Sequence, residues 1–248
     1  MLLFLRSLVF NLLFYLALVT LMLAALPMML ISHRAVLFMA KTWGRVSLFL
    51  LRVICGTRVE WRGLEKIPPG GCLVAAKHQS TWETFALVPR FAEPTFIIKR
   101  ELIWVPLFGW LAWRAGMIPI DRGARAKTLP KLLARTRAAL QEGRQIVIFP
   151  EGTRRAPHAE PTYKFGVARI YAGAEAPCVP VALNSGMFWP RRRFVRHPGT
   201  IVVEFLDPIP PGLSATTFFR RLEEVIETAT GRLLDEAAKE QQRPTTAM

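Results

Sequence analysis

The hydrophobic pattern of the chain opens with two long apolar segments of different character. The first, 7–31, contains no charged residue and is long enough to cross a bilayer core of roughly 30 Å as a helix. The second, 35–54, carries Lys41, Arg45 and Arg52, which a helical period places on one side. That side is expected to face lipid headgroups. The pattern therefore predicts a membrane-anchoring helical hairpin that either spans the bilayer or dips into one leaflet.

A cleaved signal peptide is the alternative interpretation of the first segment. Its apolar run exceeds the usual ~7–15 residues of a signal peptide, and a small-x-small cleavage site is missing. Lys and Arg are more frequent after this segment than before it, which predicts that the following domain faces the cytoplasm. The predicted location is the cell inner membrane, with membrane lipids as partners.

Beyond residue 56, short apolar runs alternate with helical stretches, which is the pattern of an α/β domain. The predicted strands are 58–62, 72–76, 95–98, 117–120, 146–149, 178–182 and 200–205. The predicted helices are 81–91, 105–115, 126–142, 165–172 and 216–238. The chain is thus divided into a hairpin (1–56), an α/β domain (57–240) and a flexible tail (241–248).

The charge balance is strongly basic, with a formal net charge of +15. Such a balance suits either nucleic acid or anionic lipid as a partner. Anionic lipid is favoured, because the charge accompanies a long membrane segment and no nucleic-acid-binding signature is present. The cysteines Cys55, Cys72 and Cys178 lie far apart in apolar contexts, so buried thiols are expected, not disulfides or zinc ligands.

A histidine and a carboxylate closely follow the predicted strand 72–76. His78 falls on the expected strand-to-helix turn, and Glu83 falls in the first turn of the next helix. A carboxylate placed there can fix the tautomer of an imidazole that acts as general base on a hydroxyl. The alternative is a capping box, in which Ser80 caps the helix and Glu83 bonds to the Ser80 amide.

Two further segments place arginines at the ends of predicted strands. Residues 149–154 are Phe-Pro-Glu-Gly-Thr-Arg, and residues 116–122 are Gly-Met-Ile-Pro-Ile-Asp-Arg. Guanidinium groups match phosphate oxygens, and ligands of open α/β sheets gather beyond the carboxyl ends of strands. Arg122 and Arg154 are therefore placed to clamp one phosphate. An ordinary polar turn and a surface Asp–Arg pair are the alternatives.

A fourth segment, 179–186, gives the weakest local signal. Its sequence, Val-Pro-Val-Ala-Leu-Asn-Ser-Gly, is also what a core strand and turn would show. The loop 189–194 that follows mixes aromatic and basic residues, and it suits either the membrane interface or a solvated surface.

Taken in order, these segments resemble the 1-acylglycerol-3-phosphate O-acyltransferases, also called lysophosphatidic acid acyltransferases. The family motifs are Asn-His-x4-Asp, Gly-x-Ile-x-Ile-x-Arg, Phe-Pro-Glu-Gly-Thr-Arg and a Val-Pro-Val strand that leads to a glycine. The matching segments of this chain are 77–83, 116–122, 149–154 and 179–186. The third motif is matched in full, and the resemblance extends over roughly 59–205.

The resemblance implies a mixed central sheet flanked by helices and an acyl-transfer reaction. His78 would act as base on the free hydroxyl of a lysolipid, and Glu83 would orient it. The hydroxyl oxygen would attack an acyl thioester of coenzyme A or acyl carrier protein, the co-substrate. The family chemistry requires no cofactor and no metal.

The resemblance also implies a phosphate-binding group. Arg122 and Arg154 would hold the phosphate of the acceptor. Glu151, Gly152 and Thr153 would complete the pocket around it.

Two departures from the first motif leave the acceptor open. Glu83 replaces the usual Asp, and Lys77 replaces the usual Asn. Lysophosphatidic acid, which would give phosphatidic acid, is the expected acceptor. The alternative is another lysolipid, such as a lyso-ornithine lipid or a lysophospholipid. A non-catalytic lipid binder that keeps the fold, and a membrane-tethered nucleic-acid binder, are the competing classes.

Overall fold

The computed structural model describes residues 1–121 and 129–242. The helices are α1 (Leu2–Ile31), α2 (His33–Cys55), α3 (Trp82–Ala86), α4 (Phe108–Arg114), α5 (Leu129–Gln141), α6 (Gly166–Ala174), α7 (Ser185–Phe188) and α8 (Ala215–Gln242). The strands are β1 (Thr57–Arg62), β2 (Cys72–Ala76), β3 (Pro94–Lys99), β4 (Ile118–Ile120), β5 (Gln145–Ile148), β6 (Cys178–Leu183) and β7 (Gly199–Phe205).

The strands form one mixed sheet in the order β1-β7-β6-β2-β5-β3-β4. Neighbouring strands from β6 to β4 are parallel, whereas β7 is antiparallel to β6 and parallel to β1. This sheet and its flanking helices confirm the fold class expected from the sequence. Because β6, β2 and β5 are parallel neighbours, the segments that follow them emerge side by side at one edge of the sheet.

Strand β2 lies in the middle of the core and is buried along its whole length. Its side chains enter opposite layers in alternation, as a strand requires. Cys72, Val74 and Ala76 pack in the layer that contains α1, α2 and α3, whereas Leu73 and Ala75 pack in the layer of α6 and α8. The three cysteines are free and buried, as expected.

All seven predicted strands are confirmed, and the predicted helices are confirmed with changes at their ends. The helix predicted over 81–91 was too long, because α3 stops at Ala86 and a 3₁₀ turn over Val88–Arg90 follows. Pro89 explains the stop, since it has no N–H to donate and restricts the residue before it. The helix predicted from residue 105 begins at Phe108, because Pro106 and the left-handed Leu107 (φ 62) precede it.

Two predicted boundaries reach residues that the structure does not describe. The first three residues of the helix predicted over 126–142 lie outside the described residues. At the other end of the chain, α8 continues to Gln242, so the predicted tail starts two residues too early. Residues 243–248 of that tail also lie outside the described residues.

The first helix of the hairpin is the candidate membrane span among the described residues. Its N-terminal half nevertheless packs on the α/β domain through aromatic rings. The ring of Phe10 lies 5.4 Å from that of Trp189, and the ring of Phe14 lies 5.3 Å from that of Phe85. Both phenylalanines are buried in the same core layer as β2.

A polar latch joins the same part of α1 to the loop before β7. Ser7 Oγ accepts a hydrogen bond from the Arg196 amide at 2.9 Å, and Arg196 Nη2 donates to Asn11 Oδ1 at 3.1 Å. The Arg196 guanidinium lies 4.1 Å from the centre of the Trp189 ring, and burial lowers the pKa of Arg196 to about 10. The hairpin is thus a separate segment of the sequence, ending at Cys55, but it packs against the α/β domain in the folded protein.

The second helix also contacts the domain, through part of its predicted basic side. Lys41 Nζ donates to the Ala92 carbonyl at 2.7 Å, so Lys41 has a partner within the protein as well as lying on the side expected to face headgroups. Arg45 and Arg52 are exposed, as contact with lipid headgroups requires. Gly44 allows the close approach, because a Cβ there would lie 2.8 Å from the carbonyl oxygen of Phe85.

Candidate active site

His78 lies just beyond the end of β2, with its ring stacked on Phe149, which follows β5. The two ring centres are 4.1 Å apart and the planes are inclined by 16°. His78 Nδ1 lies 3.0 Å from Glu83 Oε1, and the His78 side chain keeps 14% of its surface exposed. The structure thus brings together the histidine and the carboxylate that the sequence singled out.

The Glu83 side chain is fully buried (0% exposed) and holds several hydrogen bonds at once. Oε1 accepts from the amides of Gln79 (2.6 Å) and Ser80 (2.7 Å) as well as facing the His78 ring. Oε2 accepts from the Ser185 hydroxyl at 2.9 Å. A carboxylate has about four lone-pair sites, so this crowding suits the ionised form.

The helix cap and the orientation of His78 turn out not to be alternatives. Ser80 Oγ accepts from the Trp82 amide at 3.1 Å, while Glu83 accepts from the Ser80 amide, which is the second half of the predicted capping box. The first half differs, because the Ser80 hydroxyl bonds two residues on and not to the Glu83 amide, and the N-cap of α3 is Thr81. The same Glu83 oxygen lies against His78 Nδ1. One carboxylate therefore closes the first turn of α3 and holds the imidazole.

Glu151 is fully buried beside His78. Its side chain is 0% exposed, with Oε1 at 3.0 Å from Lys77 Nζ and Oε2 accepting from the His78 amide at 3.1 Å. Burial raises the pKa of the Glu151 carboxyl, while the Lys77 ammonium and the His78 amide oppose that rise. Glu151 therefore makes its polar contacts within the protein, and its part in the phosphate pocket stays a prediction.

The rest of the Phe-Pro-Glu-Gly-Thr-Arg segment turns outward. Gly152 has a left-handed φ of +67°, which favours glycine, and its amide closes the turn onto the Phe149 carbonyl at 2.9 Å. Thr153 is exposed. The Arg154 guanidinium donates to Thr81 Oγ1 at 2.5 Å. Thr81 is the third residue after His78, so this guanidinium lies beside the turn that carries the histidine.

Arg122, the other predicted phosphate ligand, lies outside the described residues. The strand before it, β4, ends at Ile120 and is separated from β5 by β3. Two strand spacings amount to roughly 10 Å. Asp121 pairs with Arg100 Nη1 at 2.9 Å.

Three polar residues near His78 were not among the predicted site residues. Ser185 bonds to Glu83, Lys77 to Glu151, and Arg191 Nη1 donates to the Arg154 carbonyl at 2.8 Å. Each lies in or beside a segment that the sequence singled out. What the sequence lacked was the neighbour relation of β6, β2 and β5, which brings these segments together. Within the described residues, no group of three His, Cys, Asp or Glu side chains is arranged to hold a metal ion.

The fold and the site together define an α/β domain in which a buried carboxylate contacts a histidine at the carboxyl edge of a mixed sheet. The sequence matches the model of the Acyltransferase family over residues 58–184. The chain belongs to that family.

The relatives of known name are acyltransferases of glycerolipids. The chain is 39% identical to a 1-acyl-sn-glycerol-3-phosphate acyltransferase of Pseudomonas aeruginosa over 166 residues, which are 67% of this chain and 65% of that one. It is 30% identical to the human 1-acyl-sn-glycerol-3-phosphate acyltransferase alpha over 173 residues, 67% of this chain and 60% of that one. Each match thus spans less than two thirds of the relative's own length.

A solved structure shares the fold. It is the crystal structure of the 1-acyl-sn-glycerophosphate (LPA) acyltransferase PlsC from Thermotoga maritima, with a TM-score of 0.73 and 23% sequence identity. The likeness covers 92% of this chain and 97% of that chain, so it extends beyond the α/β domain into the N-terminal hairpin.

Proposed function

We propose that this protein transfers an acyl group from an acyl thioester to the free sn-2 hydroxyl of lysophosphatidic acid, which gives phosphatidic acid. The single observation that carries the proposal is the 3.0 Å contact of His78 Nδ1 with the buried Glu83 carboxylate, at the edge where three of the motif segments meet. The names of the relatives support lysophosphatidic acid as the acceptor.

His78 acts as general base through its Nε2 atom. Glu83 Oε1 already accepts from two amides, so it is an acceptor, and His78 Nδ1 must carry the proton that faces it. Nε2 is then the ring nitrogen that can take a proton from the acceptor hydroxyl. As the imidazole becomes positively charged, the Glu83 carboxylate stabilises it.

The acyl transfer balances without a covalent enzyme intermediate. The hydroxyl gives its proton to Nε2 while its oxygen forms a bond to the thioester carbonyl carbon. The tetrahedral intermediate collapses as the carbon–sulfur bond breaks. The imidazolium then protonates the thiolate, so the products are the ester and a free thiol of coenzyme A or acyl carrier protein, and no further cofactor takes part.

The acceptor phosphate binds at Arg154. This guanidinium lies beside the turn that carries His78, and Thr153 next to it is exposed and offers a hydroxyl. Arg122, which follows a strand that ends at the same edge, is the second cation of this site. Guanidinium groups hold phosphate through charge-assisted hydrogen bonds, worth ~1.5–3 kcal/mol each.

The test is free-thiol release by the purified full-length protein in detergent micelles, with both donor types and a panel of acceptors. Lysophosphatidic acid should be the best acceptor, and His78→Ala should lower kcat by about 10²- to 10⁴-fold with an unchanged circular dichroism spectrum. Arg154→Ala should raise KM for lysophosphatidic acid by at least about tenfold and leave KM for the thioester unchanged.

The possible outcomes of this assay distinguish the proposed function from its alternatives. Preferred turnover of a lyso-ornithine lipid would replace lysophosphatidic acid as the substrate. Failure to consume any thioester with any acceptor would show a lipid-binding protein that keeps the fold. Near-normal turnover by His78→Ala would overturn the role of the histidine.

We also propose that the hairpin enters one leaflet of the cytoplasmic side of the inner membrane. The N-terminal half of α1 is bound to the domain, and residues 15–31 extend about 25 Å as a helix, less than a bilayer core of roughly 30 Å. The exposed tryptophans Trp104, Trp110 and Trp113 lie in and before α4, which packs against the tip of the hairpin. Tryptophan prefers the membrane interface.

Vesicle sedimentation tests this arrangement. Binding should be stronger to vesicles with anionic lipid than to zwitterionic ones, and added salt should weaken it. Cysteine labelling at Leu30 (Leu30→Cys) in intact cells should fail from the outer face of the inner membrane. Labelling from that face would show that α1 spans the bilayer.

A further inference from the structure

A buried charge network lies directly behind His78. Lys77, the residue before it, is 3% exposed, and its Nζ lies 3.0 Å from Glu151 Oε1 and 2.7 Å from Glu227 Oε1. Tyr163 completes the network by donating from its hydroxyl to Glu227 Oε1 at 2.7 Å. The network thus joins the end of β2 to α8, although Lys77 and Glu227 are 150 positions apart.

We infer that Lys77 is a positioning residue for catalysis: it keeps Glu151 ionised, so that the Glu151 carboxylate holds the backbone of His78 in place. This role rests on the proposed function of His78. It also gives a physical reason for a lysine at the position where the resembling family has asparagine.

The His78 peptide is held from both sides by the segment after β5. Glu151 Oε2 accepts from the His78 amide at 3.1 Å, and the His78 carbonyl accepts from the Arg155 amide at 2.8 Å. Phe149 of the same segment stacks on the imidazole. The position of the base therefore depends on where the Glu151 side chain is fixed.

The balance of charge explains why Lys77 is needed. The Glu151 carboxylate is fully buried, and Glu227 and Glu223 on α8 add negative charge nearby. A buried carboxylate persists in its charged form only with a partner. Lys77 supplies an ammonium to both Glu151 and Glu227, and its Nζ also lies 5.8 Å from the centre of the Tyr163 ring.

Removing this ammonium should change catalysis in a way that depends on pH. In Lys77→Met, Glu151 should bind a proton at higher pH than in the wild type, because burial and Glu227 then act on it unopposed by an ammonium. A protonated carboxyl accepts hydrogen bonds more weakly than a carboxylate. The His78 amide is then held less firmly.

The test compares Lys77→Met, Glu227→Gln and the double variant with the wild type, using whichever acceptor the wild type turns over. Lys77→Met should lower kcat by about 10- to 100-fold, less than loss of the base itself, with KM values within about twofold. The acid limb of its kcat profile should move to higher pH. Glu227→Gln should move that limb to lower pH, and the double variant should recover part of the lost kcat.

A matched control is Lys66→Met, which breaks the surface pair of Lys66 with Asp207 at 2.9 Å and should leave kcat unchanged. Loss of kcat in Lys77→Met with an unmoved pH profile and no recovery in the double variant would show a merely structural lysine. Retention of kcat in Lys77→Met would also overturn the inference. Should Lys77→Met fail to fold, Glu227→Gln decides alone: an acid limb that stays in place contradicts the role.

A second readout separates this inference from the proposed function. Glutamate-labelled protein allows the Glu151 carboxyl to be titrated by NMR, with Glu151→Gln used to assign the signal. Lys77→Met should raise the titration midpoint of Glu151 and Glu227→Gln should lower it, because the Lys77 ammonium lowers the pKa of Glu151 and Glu227 raises it, whether or not lysophosphatidic acid is the substrate. Unmoved midpoints in both variants would overturn the electrostatic part of the inference even in an active enzyme.

Discussion

Two fully buried carboxylates flank His78, and they are satisfied in opposite ways. Glu83 receives backbone amides, a serine hydroxyl and the imidazole, whereas Glu151 receives a lysine ammonium and one amide. Dipolar donors leave the charge of Glu83 available to the imidazole. An ion pair neutralises most of the charge of Glu151 before it reaches the ring. The same side chain thus acts on the chemistry at one site and on the backbone at the other.

The comparison explains why the two sites tolerate different changes. At Glu83, loss of charge removes the stabilisation of the imidazolium that forms during proton transfer. At Glu151, loss of charge leaves Lys77 with one carboxylate partner and frees the His78 amide. Loss of charge at Glu83 is therefore expected to lower the reaction rate more than the stability, whereas loss of charge at Glu151 is expected to lower both.

The largest effect is expected at Glu83. Glu83→Gln should lower kcat by about 10²- to 10⁴-fold, because the amide cannot stabilise an imidazolium and can favour the wrong tautomer. Glu83→Asp, which keeps the charge, should retain more activity than Glu83→Gln. Ser80→Ala is the control for the cap: it should lower the free energy of unfolding by ~1 kcal/mol and leave kcat within about twofold. Equal rates for the Gln and Asp variants would contradict the orienting role.

The next effect is on the pH dependence of stability at Glu151. Burial raises the pKa of Glu151 above its ordinary value, so the folded state binds this proton more tightly than the unfolded chain. The contribution of Glu151 to stability is therefore present at low pH and falls as the pH rises through the raised value. The free energy of unfolding should be measured for the wild type and Glu151→Gln at pH 5 and pH 8. The difference between the wild type and the variant should be smaller at pH 8 than at pH 5. The reverse trend would show that the Lys77 ammonium lowers the pKa of Glu151 by more than burial raises it.

The smallest effect is expected at Ser185. Its hydroxyl gives one of several hydrogen bonds to the Glu83 carboxylate, worth ~1.5–3 kcal/mol, and only the part of that energy that changes as the imidazolium forms affects kcat. Ser185→Ala should therefore lower kcat by about fivefold with little change in KM. A loss as large as that of Glu83→Gln would place Ser185 in direct contact with the reacting groups.

The sequence predicted the elements well where a segment is a continuous apolar run with clear ends. Strand β2 has the predicted bounds, because Cys72–Ala76 is a continuous apolar run between a Gly-Gly pair and polar residues. The pairing of His78 with Glu83 was also visible, since both lie within one turn of chain. The early end of α3 is also explained by the sequence, because Pro89 cannot continue the helix predicted over 81–91.

Contacts between distant segments could not be predicted in the same way. Ser185 lies 102 positions from Glu83, and the two meet because β6 is the neighbour of β2. Glu151 was assigned to the phosphate because its segment is a recognised motif. The burial that turns it toward Lys77 follows from the whole packed layer. Lys41 shows the same limit, since helical period gives the side of a helix but not what covers it.

The latch between α1 and Arg196 has a consequence for how the protein is made. The Arg196 amide bonds to Ser7 across 189 positions of sequence. At synthesis rates of ~5–20 residues per second, α1 leaves the ribosome roughly 10–40 s before its partner exists. During that interval its apolar surface has no site on the domain, and the lipid bilayer is the surface that can shelter it. The last stage of folding is then the closing of a helix that is already at the membrane onto a domain completed after it.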